Sequence, residues 1–329
     1  MVRVLGRADV QRLVSMPEAI DAVRAAFAAA DQGQAVTPEP FALYLPEFDG
    51  ELHVKGAWLK GAPVFAVKTA TGFYRNPSLG LPVSGGMTLA YDTQTGTLRA
   101  LIADGGLLTE LRTAAAGAVA ADLLARPEAQ MAGVIGTGGQ ARYQLRALLV
   151  VRPIKQVKVW GRRPEAAWQY AQAMASEGVR VAAVGTAREA VENAEVVITA
   201  TSATYPLVQA GWLARGAHLT AVGADMPHKQ ELDPQLLPTA DKYVPDSIQA
   251  AGECGELRHA LAAEVLSLAS VYGELPALAS GRLPGRTSGD EITVADLTGL
   301  GIQDAAVAAL ATRLAEQHDA GRDLPLGEW

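Results

Sequence analysis

Three charged side chains stand where the surrounding sequence gives no ordinary reason for a charge: Lys68, Arg112 and Asp225. Lys68 closes the apolar run Val64-Phe65-Ala66-Val67, a place from which a cation is normally expelled. It is either an edge lysine whose ammonium reaches water along its own stem, or an ammonium facing a pocket to bind a carboxylate or move a proton. Arg112 lies between Leu111 and an alanine-rich stretch. It can pair with a nearby acid, Glu110 or Asp104, or offer its planar fork to a ligand carboxylate. Asp225 follows the small and apolar run 218–224 and precedes Pro227. A helix cap, a turn former and a carboxylate at the ligand-binding edge of a parallel sheet all fit that pattern. His53, His218, His228, His259 and His318 have no ligand spacing, so no metal site is expected, and the single cysteine, Cys254, excludes an intrachain disulfide.

A different chemistry is written at 131–141, where a short apolar strand runs into Gly136-Thr137-Gly138-Gly139-Gln140-Ala141 and then into helix-compatible sequence. Gly136 permits a tight turn, Gly138 lets backbone N–H groups approach a pyrophosphate, and Ala141 lets the helix sit close on the sheet. The turn therefore reads as a dinucleotide site formed by Gly136 to Ala141. The next strand ends at Trp160-Gly161-Arg162-Arg163 with no acid to accept a ribose hydroxyl. Arg162 and Arg163 could instead pair with a 2′-phosphate, or be a solvated pair at a helix start, so the cofactor reads as NADP or NAD with a lean to NADP.

The elements that must hold these residues are readable in outline. Ser15-Met16-Pro17-Glu18 is a capping-box pattern opening a helix to about Gln32. Between Phe41 and Ala103, short alternating runs at 52–54, 64–68, 87–91 and 98–102, with a turn at 92–96, indicate an antiparallel sheet. An alanine-rich helix over 107–125 bridges onward until Arg126-Pro127 stops it. Strands at 131–135, 156–160, 179–183, 195–199, 217–222 and 242–245 alternate with helices at 139–150, 164–177 and 186–193, the pattern of a parallel sheet covered on both faces. Asp304, Val307, Leu310 and Leu314 mark a last amphipathic helix over 303–318.

With 329 residues, 49% of them hydrophobic, the chain can build two cores. A net charge of −7 gives no footprint for nucleic acid or an anionic membrane. No apolar run reaches the ~18 residues of a membrane span and no signal-peptide core is visible, so the cytoplasm is the expected compartment.

Several blocks, in order, resemble the ornithine cyclodeaminase and mu-crystallin family. They are Lys68 with Asn76-Pro77-Ser78-Leu79-Gly80-Leu81-Pro82; Leu108-Thr109-Glu110-Leu111-Arg112-Thr113; the Gly136 turn; 216–225 with Glu231-Leu232-Asp233; and Glu291-Ile292-Thr293 with Gly299 and Gly301. The resemblance implies an α/β fold: a Rossmann-type doubly wound parallel sheet plus an antiparallel-sheet domain built from both chain ends that forms a homodimer. The expected division is 1–118, 119–302 and a returning helix at 303–329. By the same resemblance Arg112 holds a substrate α-carboxylate, Lys68 and Asp225 are catalytic, with Asp225 handling the proton on substrate nitrogen, and Thr113 joins the cofactor residues. The implied chemistry interconverts amine and imine at the Cα of a small amino or imino acid, as a reductase or as an ammonia-releasing cyclodeaminase. A catalytically silent NADP(H)-binding protein is the alternative. One feature departs from the family: no arginine occurs between Arg24 and Arg75, where the family places a carboxylate-binding one. Lys55 and His53, two apart and so on one face of a strand, are the candidates to replace it.

Overall fold

In a computed structural model, which describes residues 1–325, the chain divides into two compact units. The first comprises Met1–Arg112 and the chain from Leu300 on; the second is Thr113–Gly299. The division falls inside a helix, between Arg112 and Thr113, and not after 118, because that helix is continuous and its first turns belong to the first unit. The chain re-enters the first unit at Leu300, just before the expected 303, and the 326–329 end of the expected last segment lies outside the described residues.

The first unit opens with β1 (Val2–Gly6), α1 (Arg7–Leu13) and α2 (Met16–Asp31). Ser15 caps α2 through the Glu18 N–H while Glu18 reaches back to Ser15, the capping box read in the sequence. There follow β2 (Ala35–Val36), β3 (Phe41–Leu45), β4 (Gly50–Leu59), β5 (Val64–Phe73), β6 (Ser84–Asp92) and β7 (Leu98–Ala103). Asp92 Oδ1 accepts from the Gln94 and Thr95 N–H groups and Gly96 takes φ +69°, closing the β6–β7 turn. Neighbouring strands pair antiparallel except β1, which runs parallel to β7 and brings the chain start into the sheet. Lys68 is not the end of its strand: β5 continues to Phe73 because both β4 and β6 keep pairing with it.

α3 (Leu107–Leu124) starts in the first unit, its opening N–H groups received by Asp104, whose carboxylate accepts from Gly106 and Leu108. In the second unit come β8 (Met131–Ile135), α4 (Gly139–Val151), β9 (Gln156–Trp160), α5 (Pro164–Met174), β10 (Arg180–Ala183), α6 (Ala187–Val191), β11 (Val196–Thr199), β12 (Thr204–Val208), β13 (His218–Ala221), β14 (Gln230–Leu232), β15 (Lys242–Pro245), α7 (Ile248–Cys254), α8 (Glu256–Ala262), α9 (Leu275–Ala279) and β16 (Thr293–Asp296). Seven of these strands form one parallel sheet in the order β10-β9-β8-β11-β13-β16-β15. β16, which the alternation pattern does not reveal, inserts between β13 and β15. Val197, Leu219 and Val294 pack on one face of that sheet and Val134, Val159 and Val196 on the other, so the strands are apolar on both sides. The chain ends with α10 (Gly301–Gln317) and β17 (Arg322–Leu324), which pairs antiparallel with β1.

Candidate active site

In the first unit, register fixes which side chains share a face. Lys55 on β4 lies directly opposite Lys68 on β5, and Lys68 opposite Thr88 on β6. α10 covers this side. Its first residue, Gly301, touches the β4 backbone: a Cβ there would stand 2.5 Å from the Gly56 carbonyl oxygen, so only glycine brings the helix in so closely. That approach places Asp304 against Lys68, with Oδ2 3.2 Å from Nζ, and against Arg112, with Oδ1 3.0 Å from Nε. Arg112 Nη1 also donates to Gln303 Oε1 at 2.8 Å. Lys68, Thr88, Arg112, Gln303 and Asp304 are buried, and Lys55 is partly exposed. Arg112 therefore takes neither of its sequence neighbours as partner, Asp104 being occupied with the α3 N-terminus.

The electrostatics follow from burial. Desolvation brings the Lys68 ammonium down to about 7, opposed by Asp304 and reinforced by Arg112 and Lys55. Burial acts to raise Asp304, yet Arg112, Lys68 and Lys55 overcome it and hold the carboxyl below its ordinary range. Asp304 and Gln303 were missed as site residues. The signal was available: an aspartate falls within the apolar i, i+3 stripe of the last helix, where an uncompensated charge would be costly. His53 shares the face of Lys55 but is engaged elsewhere, 3.4 Å from Glu51 and edge-on to Tyr44.

In the second unit the glycine turn joins β8 to α4 as expected. Gly136 has φ +122°, and a Cβ on it would lie 2.4 Å from the Ala200 carbonyl oxygen. Gly138 is the N-cap of α4, and a Cβ on it would project into open space. The cradle thus has room in front of Gly138, with Gly139, Gln140 and the buried Ala141 forming the first turn of the helix behind it. These residues fit a pyrophosphate approaching a helix N-terminus. Thr137 packs against Gly161 at the end of β9, where Arg162 and Arg163 follow, both exposed. Gln144, also missed, donates from Nε2 to the Thr113 carbonyl at 2.9 Å and to Gln140 Oε1 at 3.5 Å, tying two of the expected cofactor residues together.

Asp225 follows β13 at the sheet's carboxyl edge. No helix starts there, so it is not a cap; its Oδ1 accepts from Lys229 Nζ at 2.6 Å, and half of its side chain is exposed. The neighbouring loops are held by the buried Glu231, which accepts from Thr199 Oγ1, Thr201 N–H and Gly223 N–H at 2.7, 2.7 and 2.8 Å. Among the described residues no group of three His, Cys, Asp or Glu could hold a metal ion, and no helix is long and apolar enough to cross a membrane.

The chain is similar to known proteins over nearly its whole length. The model of the ornithine cyclodeaminase/mu-crystallin family matches residues 2–318. A provisionally named dehydrogenase of Rhizobium meliloti (strain 1021) is 42% identical over 322 residues, covering 97% of this chain and 98% of that protein. Among solved structures, Thermococcus litoralis Δ1-pyrroline-2-carboxylate reductase in complex with NADH and L-proline superposes with a TM-score of 0.95 at 32% identity, covering 98% of this chain and all (100%) of that one. An archaeal alanine dehydrogenase dimer with bound NAD gives 0.93 at 34% identity, covering 99% of each chain.

Proposed function

The chain belongs to the ornithine cyclodeaminase/mu-crystallin family, and on that premise we propose that it interconverts an amine and an imine at the Cα of a small amino or imino acid, using a nicotinamide dinucleotide. The observation that carries this reading is the buried meeting of Lys68 and Arg112 on one carboxylate, with Lys55 beside them. Cations gathered under a helix in this way are a ready receptor for a substrate carboxylate.

In this reading the second unit holds the nucleotide through the Gly136 to Ala141 turn, and Arg162 and Arg163 favour NADP(H), whereas the relatives named above carry NADH or NAD. When bound, the nicotinamide supplies or accepts the hydride. The chain's own side chains do the rest. Arg112 and Lys68 bind and orient the α-carboxylate. Asp225 takes the proton from the substrate nitrogen in the oxidative direction and returns it in the reductive one. Lys68, poised near neutrality, is the second group able to move a proton. Reduction thus adds a hydride at Cα and a proton at nitrogen, and oxidation removes both. With no arginine between Arg24 and Arg75, we favour net imine reduction or amino-acid oxidation over turnover of ornithine.

A substrate screen that follows nicotinamide absorbance and ammonia release together tests this. An absorbance change with an imino acid, formed from ammonia and a 2-oxo acid, is the expected result. Ammonia without net absorbance change would make the chain a cyclodeaminase. Tight nucleotide binding with neither signal would make it a silent binder and overturn the proposal. With a substrate in hand, Arg112→Ala should mainly raise KM and Asp225→Asn mainly lower kcat.

The same reading makes the chain a homodimer. Phe41, Leu43 and Met87 are exposed and, by register, lie on the side of the sheet opposite Lys68 and α10. A second copy is the occupant we assign to this apolar face.

A further inference from the structure

Burying two cations side by side is costly, and the pair formed by Lys68 and Arg112 needs something to keep it. Asp304 supplies it with one carboxylate oxygen for each cation, at 3.2 and 3.0 Å. These contacts are ion pairs by distance without hydrogen-bond alignment: Arg112 Nε and Asp304 Oδ2 are buried and make no directed hydrogen bond, and neither does Gln303 Nε2 beside them. Charge more than directional bonding therefore holds the cluster, so its geometry depends on the carboxylate being present and ionised. α10 fixes where that carboxylate stands, through the glycine contact of Gly301 with β4.

We propose that Asp304 is the positioning residue of the carboxylate site, holding the Lys68 ammonium and the Arg112 guanidinium together, both charged, so that they meet one substrate carboxylate as a unit. This rests on the reading of Lys68 and Arg112 as the substrate's carboxylate receptor. Asp304 acts through them and needs no contact with substrate. The charged groups around Lys68 are Asp304 from α10, Arg112 from α3 and Lys55 from β4, while β6 presents the uncharged Thr88. Of these only Asp304 favours the charged lysine; burial, Arg112 and Lys55 all disfavour it. In the intact protein Lys68 loses its proton as pH rises through about 7, and KM for a carboxylate substrate should rise with it. Without Asp304 that loss must occur at lower pH.

The experiment measures kcat and KM of the full chain from pH 5.5 to 9 for wild type, Asp304→Asn and Asp304→Glu, with the substrate found in the screen. Asp304→Asn should lose kcat/KM on the order of 100-fold at pH 8, the scale of a hydrogen bond to a charged group lost as Lys68 gives up its proton. The rise in KM should move to lower pH, so that the deficit shrinks on acidification. Asp304→Glu keeps the charge but displaces it by a methylene, and should retain the wild-type position of the pH limb with a raised KM. A folded Asp304→Asn with the wild-type profile, or with one loss at every pH, would overturn the proposal, as would Asp304→Glu with an unchanged KM. Substrate-free NMR titration of the Lys68 side chain in the same proteins separates this from the functional reading. If no substrate reacts but Lys68 titrates at lower pH in Asp304→Asn, the positioning role stands and the redox function falls. An unmoved titration removes the positioning role whatever the activity. Should Asp304→Asn fail to fold, the KM of Asp304→Glu still decides.

Discussion

At the scale of residues, Lys68, Arg112 and Asp304 form a set of charges placed where solvent cannot screen them. Lys68 illustrates the cost. Folding lowers its ammonium from an ordinary lysine value of 10.5 to about 7, chiefly through burial. Between those two values the unfolded chain binds more protons at this position than the folded one, so this group makes stability rise with pH across that interval. Urea midpoints measured at pH 7 and pH 9 should therefore differ in that direction for wild type, and Lys68→Met should flatten its share of the slope while abolishing substrate binding. A larger slope in Lys68→Met than in wild type would contradict the assignment. The exposed pair Arg162 and Arg163 presents the opposite case, charge in water, where only a ligand can give it value. Replacing both by alanine should weaken NADP(H) by ~1–3 kcal/mol more than NAD(H), the worth of charge-assisted bonds to a phosphate, as read by calorimetry. Equal losses for the two nucleotides would leave the arginines a solvated pair.

At the scale of elements, two glycines of the β8–α4 turn shape the nucleotide cradle, one by open space and one by a close contact, and they respond differently to a side chain. At Gly138 the space beyond Cα is open, so Gly138→Val should fold with a near-normal Tm and lose nucleotide affinity, because the new side chain enters the room the pyrophosphate needs. Gly136 instead faces the Ala200 carbonyl at 2.4 Å from an added Cβ and carries φ +122°. Gly136→Ala should therefore lose stability on the order of 1–3 kcal/mol, the cost of a strained backbone position, and unfold at a lower temperature. Calorimetry and thermal melts on the two variants give the comparison; a Gly138→Val protein that binds nucleotide as well as wild type would refute the cradle. α10 belongs to the same scale. Its apolar face packs the helix onto β4, β5 and β6, and its one buried acid, Asp304, meets Lys68 and Arg112.

At the scale of the molecule, the first unit is completed by a part of the chain distant in sequence, whereas the second is one continuous stretch. The first sheet closes at its β1 edge with β17, and its charged cluster is assembled from β5, the start of α3 and α10. The homodimer proposal belongs here too. Phe41→Lys with Leu43→Lys should give a monomer by sedimentation at micromolar concentration while leaving the fold intact, since both side chains are exposed in the single chain. If wild type sediments as a monomer, the exposed face needs another explanation.

Local pattern was enough for much of this. The strand-turn-helix at Gly136, the β9 strand over Gln156–Trp160, the Ser15 capping box and the alternation that makes the parallel sheet were all legible, because they depend on residues within a few positions of one another. The candidates Lys68 and Arg112 were legible as charges in apolar surroundings, though which acid holds them was not. Their partner is almost two hundred positions beyond Arg112, and a one-dimensional reading offers Glu110 or Asp104 because those are near. β16 escaped for a related reason: four buried residues after a long irregular stretch carry no periodicity, and only the gap between β13 and β15 makes them a strand. The full length of β5 likewise depends on two neighbours that keep pairing past Lys68. The sequence by itself determined that Lys68, Arg112 and Asp225 are charges out of place and what kinds of element carry them, since residue type, propensity and turn chemistry are local. Tertiary structure alone decided that Asp304 stands between Lys68 and Arg112, because a buried ion pair is selected by what packing brings within about 3 Å and not by distance along the chain.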